Sequence, residues 1–136
     1  QAIEDAHQSG LPLFLEIVTY QVEEAEGVLK SVEYFLSNNI IPDVFKIEFP
    51  GSDYLSKKIS DVLGQIPWII LSRGADYTLF KEQVLIASEN GCWGFLAGRS
   101  LWQDYFDFNE EADKEKFLKE TLPSRFEEIR QIILNS

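Results

Sequence analysis

The chain has 136 residues, of which 45% are hydrophobic and 26% are charged. This is the length and balance of one soluble globular domain with its own core. Twelve basic residues against 23 acidic ones give a net charge of −11, which argues against nucleic acid and anionic membranes as partners.

The composition also bears on the location of the protein and on its chemistry. No run approaches the roughly 18 apolar residues of a membrane span, and the first residues, QAIEDAHQSG, lack the features of a signal peptide. The single cysteine, Cys92, fits a reducing cytoplasm, and the lack of Cys/His clusters predicts that there is no metal site. Because the chain contains no methionine, we expect it to be part of a longer protein.

Apolar segments with the composition of β-strands alternate along the chain with segments of helical periodicity. The strand segments are nearly continuous apolar runs, which are typical of strands covered on both faces in a parallel sheet. The predicted strands are Leu11–Thr19, Val44–Phe49, Trp68–Ser72 and Trp93–Ala97, and the predicted helices are 23–36, Ser52–Leu63, Tyr77–Asn90 and about Lys114–Leu134, with Pro123 marking a break or a helix start. The acidic stretch Asp104–Glu115 is predicted to be a solvated connection.

This alternation predicts an α/β fold of parallel βα units, for which two architectures remain open. One is an open, doubly wound sheet, which the chain length favours. The other is half of a (β/α)₈ barrel, which needs about 250 residues when complete. In both architectures ligands bind beyond the C-terminal ends of the strands, so polar residues at those positions are the candidates for a functional site.

Three charged residues stand within or beside the first two predicted strands: Glu16 in LFLEIVTY, and Lys46 and Glu48 in DVFKIEFP. A desolvated lysine amine loses its proton more readily than a solvated one, and the free amine attacks carbonyl carbons. Lys46 is therefore either a nucleophile or the structural partner of Glu16 or Glu48. Glu16 is either that partner or an acid/base group, and Glu48 is an additional candidate on the same side of its strand as Lys46.

Two similar turns, LSRG and AGRS, follow the third and fourth predicted strands. Glycine allows backbone N–H groups to approach an anion, a following helix N-terminus adds a positive dipole, and arginine binds phosphate with two hydrogen bonds. The alternative is ordinary turn chemistry with solvated arginines. The pattern favours an anion site formed by Ser72, Arg73, Gly74, Gly98 and Arg99.

The segments LPLFLEIVTY, DVFKIEFP, IPWIILSRGADYTLFKEQVLIASENG and GFLAGRSLW, in this order and spacing, resemble the class I tagatose 1,6-bisphosphate aldolase family and its sulfofructose-phosphate aldolase relatives. The resemblance implies strands 5 to 8 of a (β/α)₈ barrel, so that residues 1–136 are the C-terminal half of an aldolase domain. It also implies that Lys46 forms a Schiff base, that Glu16 transfers protons, and that the two glycine–arginine turns bind phosphate. Arg73 departs from the family, which has a small residue there.

The function implied by this resemblance is Schiff-base cleavage of a ketose bisphosphate, such as tagatose 1,6-bisphosphate, into dihydroxyacetone phosphate and glyceraldehyde 3-phosphate. No cofactor or metal is expected, and the partner is a phosphorylated sugar. The alternatives are a non-catalytic sugar-phosphate-binding or regulatory half-barrel, or a sulfofructose-phosphate aldolase. We expect the open sides of the half-barrel to be covered by a second copy of the chain or by the N-terminal half of the same barrel.

Overall fold

The computed structural model describes residues 1–20 and 26–136, and it shows a four-stranded sheet flanked by helices. The strands are β1 (Phe14–Ile17), β2 (Val44–Ile47), β3 (Trp68–Leu71) and β4 (Gly94–Leu96). The α-helices are α1 (Ala2–Gln8), α2 (Gly27–Ser37), α3 (Asp53–Leu63), α4 (Tyr77–Glu89), α5 (Arg99–Trp102), α6 (Glu111–Lys116) and α7 (Leu122–Leu134). All four predicted strands are confirmed, with shorter ends. The start of the helix predicted over 23–36 lies outside the described residues.

The four strands are parallel and lie in the sheet in their chain order, β1-β2-β3-β4. An open doubly wound sheet instead reverses its strand order at a switch point. A sheet whose order follows the chain winds in one direction, as successive strands of a barrel do. The topology therefore decides between the two predicted architectures in favour of barrel-type βα units.

The core lies between one face of this sheet and the helices. Phe45 and Ile47 of β2 are fully buried there, as are Trp68 and Ile70 of β3. The alternate residues of β2 are only partly buried, whereas Leu71 of β3 is buried as well. Within the described residues only the helix-covered face of β2 is fully closed, so the predicted cover is confirmed for that face and stays a prediction for the other. The second face corresponds to the interior of a barrel, where apolar residues are equally expected.

The helix boundaries follow from local side-chain chemistry. Ser52 Oγ accepts a hydrogen bond from the Leu55 N–H at 3.1 Å, and Asp76 Oδ1 accepts one from the Leu79 N–H at 3.0 Å, so both residues are N-caps. Helix α3 ends at Gly64, whose φ of 60° lies in the left-handed region that glycine adopts without strain. These caps fix where α3 and α4 begin and where the loops between strands and helices lie.

The C-terminal region is more helical than the sequence analysis predicts. A 3₁₀ segment over Gln103–Asp107, α6, a π-helical turn over Phe117–Thr121 and α7 occupy it, so the acidic stretch 104–115 is not a plain connection. Pro123 follows the π-helical turn directly, near the start of α7, in helical structure that is continuous from α6. It therefore marks a break in the regular α-helix rather than a separate helix start. Among residues 1–20 and 26–136, no helix is long and apolar enough to cross a membrane.

Candidate functional site

A concave site of about 330 Å³ opens at the C-terminal ends of the strands. Every residue predicted to be catalytic or to bind phosphate borders this site, although the sequence patterns are local and do not show which strand ends lie close together. The set comprises Glu16, Lys46, Ser72, Arg73, Gly74, Gly98 and Arg99. Glu48 is absent from its lining and borders a neighbouring cavity of about 560 Å³, together with Ser72, Arg73 and Gly74. The turn 72–74 therefore forms the wall between two cavities.

Lys46 and Glu16 are paired across the first two strands. The parallel register places the two residues opposite each other, and Lys46 Nζ donates a hydrogen bond to Glu16 Oε2 at 2.8 Å. The lysine side chain is 22% exposed and the glutamate side chain 49%. Of the two partners considered from the sequence, Lys46 thus contacts Glu16, and the pair lies on the sheet face that the helices leave open.

The sequence analysis placed Lys46 between two apolar neighbours, but these do not surround its amine. Phe45 and Ile47 are fully buried because successive residues of a strand point to opposite faces. Lys46 therefore points away from them, towards the open site. Any desolvation of this amine has to come from groups that cover the second sheet face.

The turn after β3 has an unusual backbone. Arg73 and Gly74 both have positive φ angles, 49° and 78°, and the Ala75 N–H donates to the Ser72 carbonyl at 3.0 Å. Glycine adopts this region freely, whereas a residue with a Cβ atom does so rarely. The conformation of Arg73 is therefore one that other contacts have to stabilise.

Arg99 lies directly over Gly74. A Cβ atom added to Gly74 would lie 3.0 Å from Arg99 Nη2, so a side chain at position 74 would require the guanidinium to shift by a few tenths of an ångström. Within the described ranges Arg99 takes part in no ion pair, and it is the cation of the site that remains available for an anion. The buried Ser100 hydroxyl donates to the Ala75 carbonyl, and this bond joins the two glycine–arginine turns.

The helix dipoles expected to assist anion binding contribute little here. Helix α5, which follows Gly98, has only 4 residues. The N-terminus of α4 is already capped by the carboxylate of Asp76. Arg99 and the backbone of the two glycines are therefore better placed to meet an anion at these turns than aligned peptide dipoles are.

Arg73 borders the open site, but its guanidinium is paired with Glu48, which lines the neighbouring cavity. Its Nη1 lies 2.7 Å from Oε1 of Glu48, and its guanidinium is 5.6 Å from the ring centroid of Tyr20. The other carboxylate oxygen of Glu48 accepts hydrogen bonds from the Thr19 N–H at 2.9 Å and from the Thr19 hydroxyl. The sequence analysis did not include Thr19 and Tyr20, which contact Glu48 and Arg73, or Trp102, which lines the open site. Trp102 follows Arg99 by three residues, and this helical spacing could have indicated that the two side chains lie on the same face.

The chain resembles several curated proteins. It is 30% identical to a tagatose 1,6-diphosphate aldolase of Staphylococcus aureus, over 77% of this chain and 43% of that protein. It is 26% identical to tagatose 1,6-diphosphate aldolase 2 of Streptococcus agalactiae, over 90% of this chain and 48% of that protein. The chain is related to the tagatose 1,6-diphosphate aldolases. No protein-family model matches it.

The aldolase relationship agrees with the fold. The crystal structure of an archaeal fructose 1,6-bisphosphate aldolase superposes with a TM-score of 0.62 at 23% identity, over 87% of this chain and 46% of that one. The chain spans less than half the length of the curated aldolases it matches. These proportions fit the half-barrel expected from the sequence.

Proposed function

We propose that the chain is half of the barrel of a class I aldolase, which cleaves a ketose bisphosphate such as tagatose 1,6-bisphosphate through a Schiff base on Lys46. The observation that carries the proposal is the pairing of Lys46 with Glu16, 2.8 Å apart, in the concave site that Arg99 also lines. The similarity to aldolases supports it independently. The whole domain would comprise this half and a second set of βα units, in the cytoplasm.

The proposed reaction begins with proton transfer within the pair. The Lys46 ammonium gives a proton to Glu16, and the free amine attacks the ketone carbon of the sugar. The carbinolamine then loses water, with Glu16 returning a proton to the departing oxygen, and a protonated iminium remains. The iminium draws the electron pair of the adjacent carbon–carbon bond as that bond breaks. Glu16, again a carboxylate, takes the proton of the hydroxyl on the far carbon, and that carbon leaves as the aldehyde product.

The remaining enamine is protonated, again with Glu16 as the proton carrier, and water releases the second product and the lysine. The iminium is the electron sink of this sequence, so the mechanism calls for no metal ion. Arg99, Ser72 and the backbone of Gly74 and Gly98 would hold a terminal phosphate and so present the ketone to Lys46.

Borohydride trapping tests this proposal in the complete protein. Reduction in the presence of the sugar bisphosphate should fix the sugar to the protein, and peptide mapping should place the added mass on Lys46. Lys46→Ala and Lys46→Arg should abolish both labelling and cleavage, since an arginine side chain stays protonated. Lys58→Ala is the matched control, because Lys58 is an exposed lysine on α3, and it should label like the unmodified protein.

Other outcomes distinguish the alternatives. Phosphorylated sugar that binds without labelling Lys46 would favour a non-catalytic sugar-phosphate-binding protein. A label on another lysine, or activity that requires an added divalent metal, would contradict the Schiff-base mechanism. Cleavage of the sulfonated sugar in preference to the bisphosphate would favour the sulfofructose-phosphate reaction.

A further inference from the structure

Glu48 is a buried carboxylate that joins the ends of three neighbouring strands. Its side chain is 7% exposed, and it follows β2 directly. One oxygen binds Thr19, beyond β1, and the other lies 2.7 Å from Arg73, beyond β3. Because that second oxygen makes no aligned hydrogen bond within the described residues, its contact with Arg73 is electrostatic.

Arg73 is held in this position at the expense of backbone strain. Its φ of 49° lies in the left-handed region, which is uncommon for a residue with a side chain. Two contacts compensate for that strain: the ion pair with Glu48 and the stacking of the guanidinium over Tyr20. The next residue, Gly74, is the one against which Arg99 lies. The backbone conformation of Arg73 therefore affects the position of Gly74, the next residue, and through it the position of the Arg99 guanidinium.

We propose that Arg73 and Glu48 form a clamp that sets the turn 72–74 and thereby positions Gly74 and Arg99 for an anion, and that Arg73 does not itself bind the anion. This inference rests on the proposed function only in identifying that anion as the phosphate of a sugar. Both residues are positioning residues of the site.

The energetics of the pair argue against direct anion binding by Arg73. Were its guanidinium to leave Glu48 for a phosphate, a carboxylate more than nine-tenths buried would lose its counter-charge. Leaving one member of a buried ion pair alone is strongly destabilising. Arg99 has no such competing partner within the described part of the chain.

Titration of the complete protein with inorganic phosphate, followed by calorimetry, separates these roles. The variants are Glu48→Gln, Arg73→Ala and Arg73→Gly. Arg73→Gly removes the side chain but tolerates the positive φ, so it separates the clamp from the strain. Arg130→Ala is the matched control, because Arg130 also forms an ion pair, with Glu127, at the exposed surface of α7.

We expect Glu48→Gln and Arg73→Ala to weaken phosphate binding by about 10-fold, the scale of a small misplacement of binding groups. Arg73→Gly should lose less affinity than Arg73→Ala, because glycine adopts the positive φ without the clamp. Arg130→Ala should bind like the unmodified protein. The double variant Glu48→Gln/Arg73→Ala should be no weaker than either single variant, since both break the same contact. Arg73→Lys, which keeps the charge, should recover part of the affinity.

Tighter phosphate binding by Glu48→Gln than by the unmodified protein would overturn the proposal. If Arg73 bound the anion directly, Glu48→Gln would free its guanidinium and tighten phosphate binding. If the pair were only structural, the variants would lower the melting temperature while phosphate affinity stayed unchanged.

If the unmodified protein binds no phosphate, that result counts against the proposed function. A second measurement still tests the clamp in that case. Hydrogen exchange at residues 72–75 should be faster in Glu48→Gln and Arg73→Ala than in Arg130→Ala. Equal exchange rates in all three variants would overturn the clamp by themselves.

Discussion

Arg99 and Arg73 come from two similar turns, yet their surroundings differ. Arg73 is paired with Glu48, whereas Arg99 lies over Gly74 and takes part in no ion pair among residues 1–20 and 26–136. In a chain with a net charge of −11, an unpaired guanidinium in a concave site is a rare source of positive potential. Arg99 is thus the residue at which anion selectivity should be tested first.

Arg99→Ala should weaken binding of a phosphorylated sugar by about 1.5–3 kcal/mol, the scale of a hydrogen bond to a charged group. The unphosphorylated sugar should be almost unaffected, because it has no group for the guanidinium to bind. Calorimetric titration of both ligands into Arg99→Ala and into the control Arg130→Ala measures the difference. Equal losses for both ligands would show that Arg99 is structural.

Cys92 illustrates a residue whose burial defines its chemistry. Burial raises the pKa of its thiol to about 11, and the thiol donates a hydrogen bond to the Gly94 carbonyl at 3.1 Å. The thiolate is the reactive form, so iodoacetamide at pH 8 should label the folded protein far more slowly than the protein in urea. Rapid labelling of the folded protein would mean that the strand containing Gly94 opens readily.

The sequence marks candidate residues where a local pattern sets them apart. A lysine and a glutamate inside apolar strands are conspicuous, and parallel pairing of those strands brings Glu16 and Lys46 together. The pairing of Arg73 with Glu48 was not predictable, because it joins residues far apart in sequence through a backbone conformation that the LSRG pattern does not specify. The same pattern suits both a phosphate ligand and a positioning residue.

At the scale of elements, the docking of α7 depends on charged contacts around its first turns. Arg125 binds the Asp104 carboxylate and donates to the Leu101 carbonyl at 3.0 Å. Glu128 accepts hydrogen bonds from Lys81 at 2.6 Å and from the Tyr77 hydroxyl at 2.7 Å. Together these contacts connect α7 with α4, α5 and the 3₁₀ segment, and Ile129 is fully buried beside them.

This network predicts that α7 detaches in acid. The hydrogen bond from Arg125 lowers the pKa of Asp104, and the hydrogen bonds from Lys81 and Tyr77 lower that of Glu128. In the unfolded chain these groups titrate near their ordinary values of 3.8 and 4.5, so as the pH falls the unfolded state binds protons first. Their stabilisation is complete at neutral pH, and it is lost as the pH falls below about 4.

Urea unfolding at pH 7 and at pH 3 measures this loss. Asp43 and Glu127 also have lowered pKa values, and Glu128 keeps its contacts in Arg125→Ala, so the comparison with that variant isolates the contribution of the Arg125–Asp104 contact. We expect that variant to be less stable at pH 7 and to lose less stability on acidification than the unmodified chain. Equal losses in both proteins would mean that Asp104 contributes nothing to the docking.

The number and order of the strands, and the three helices that follow β1, β2 and β3, were predictable from apolar periodicity, but two features were not. Continuous apolar runs do not reveal whether both faces of a strand are covered, because the interior of a barrel and a helix-covered face are both apolar. The acidic stretch 104–115 was predicted to be a connection because of its charge, yet the 3₁₀ segment packs aromatic rings against α5 and the π-helical turn. The ring centroids of Tyr105 and Phe117 are 6.3 Å apart. A pattern of charged residues gives no indication of such aromatic packing.

At the scale of the whole molecule, the sheet has two open edges and one open face among residues 1–20 and 26–136. Strands β1 and β4 stand at the ends of the strand order, so each presents unpaired backbone groups along one side. Large apolar side chains are exposed at the same places: Phe14 on β1, Leu96 on β4, and Trp93, which is 70% exposed, just before β4. In a closed barrel, further strands cover such edges and the open face together.

We therefore predict that a polypeptide of residues 1–136, prepared alone, self-associates. Pairing of edges between copies would satisfy the backbone groups of β1 and β4 and bury Phe14 and Trp93, as the missing strands of a barrel would. Light scattering during gel filtration should show a mass that rises with concentration. The double variant Trp93→Lys/Leu96→Lys should shift the equilibrium towards monomer, because lysine on an edge strand opposes pairing.

Tyr34→Lys is the control for added charge and lost apolar area, since Tyr34 is an exposed aromatic residue on α2, away from the sheet edges. This variant should leave the association unchanged. A monomer that unfolds cooperatively at every concentration would contradict the assignment of these four strands to a half-barrel.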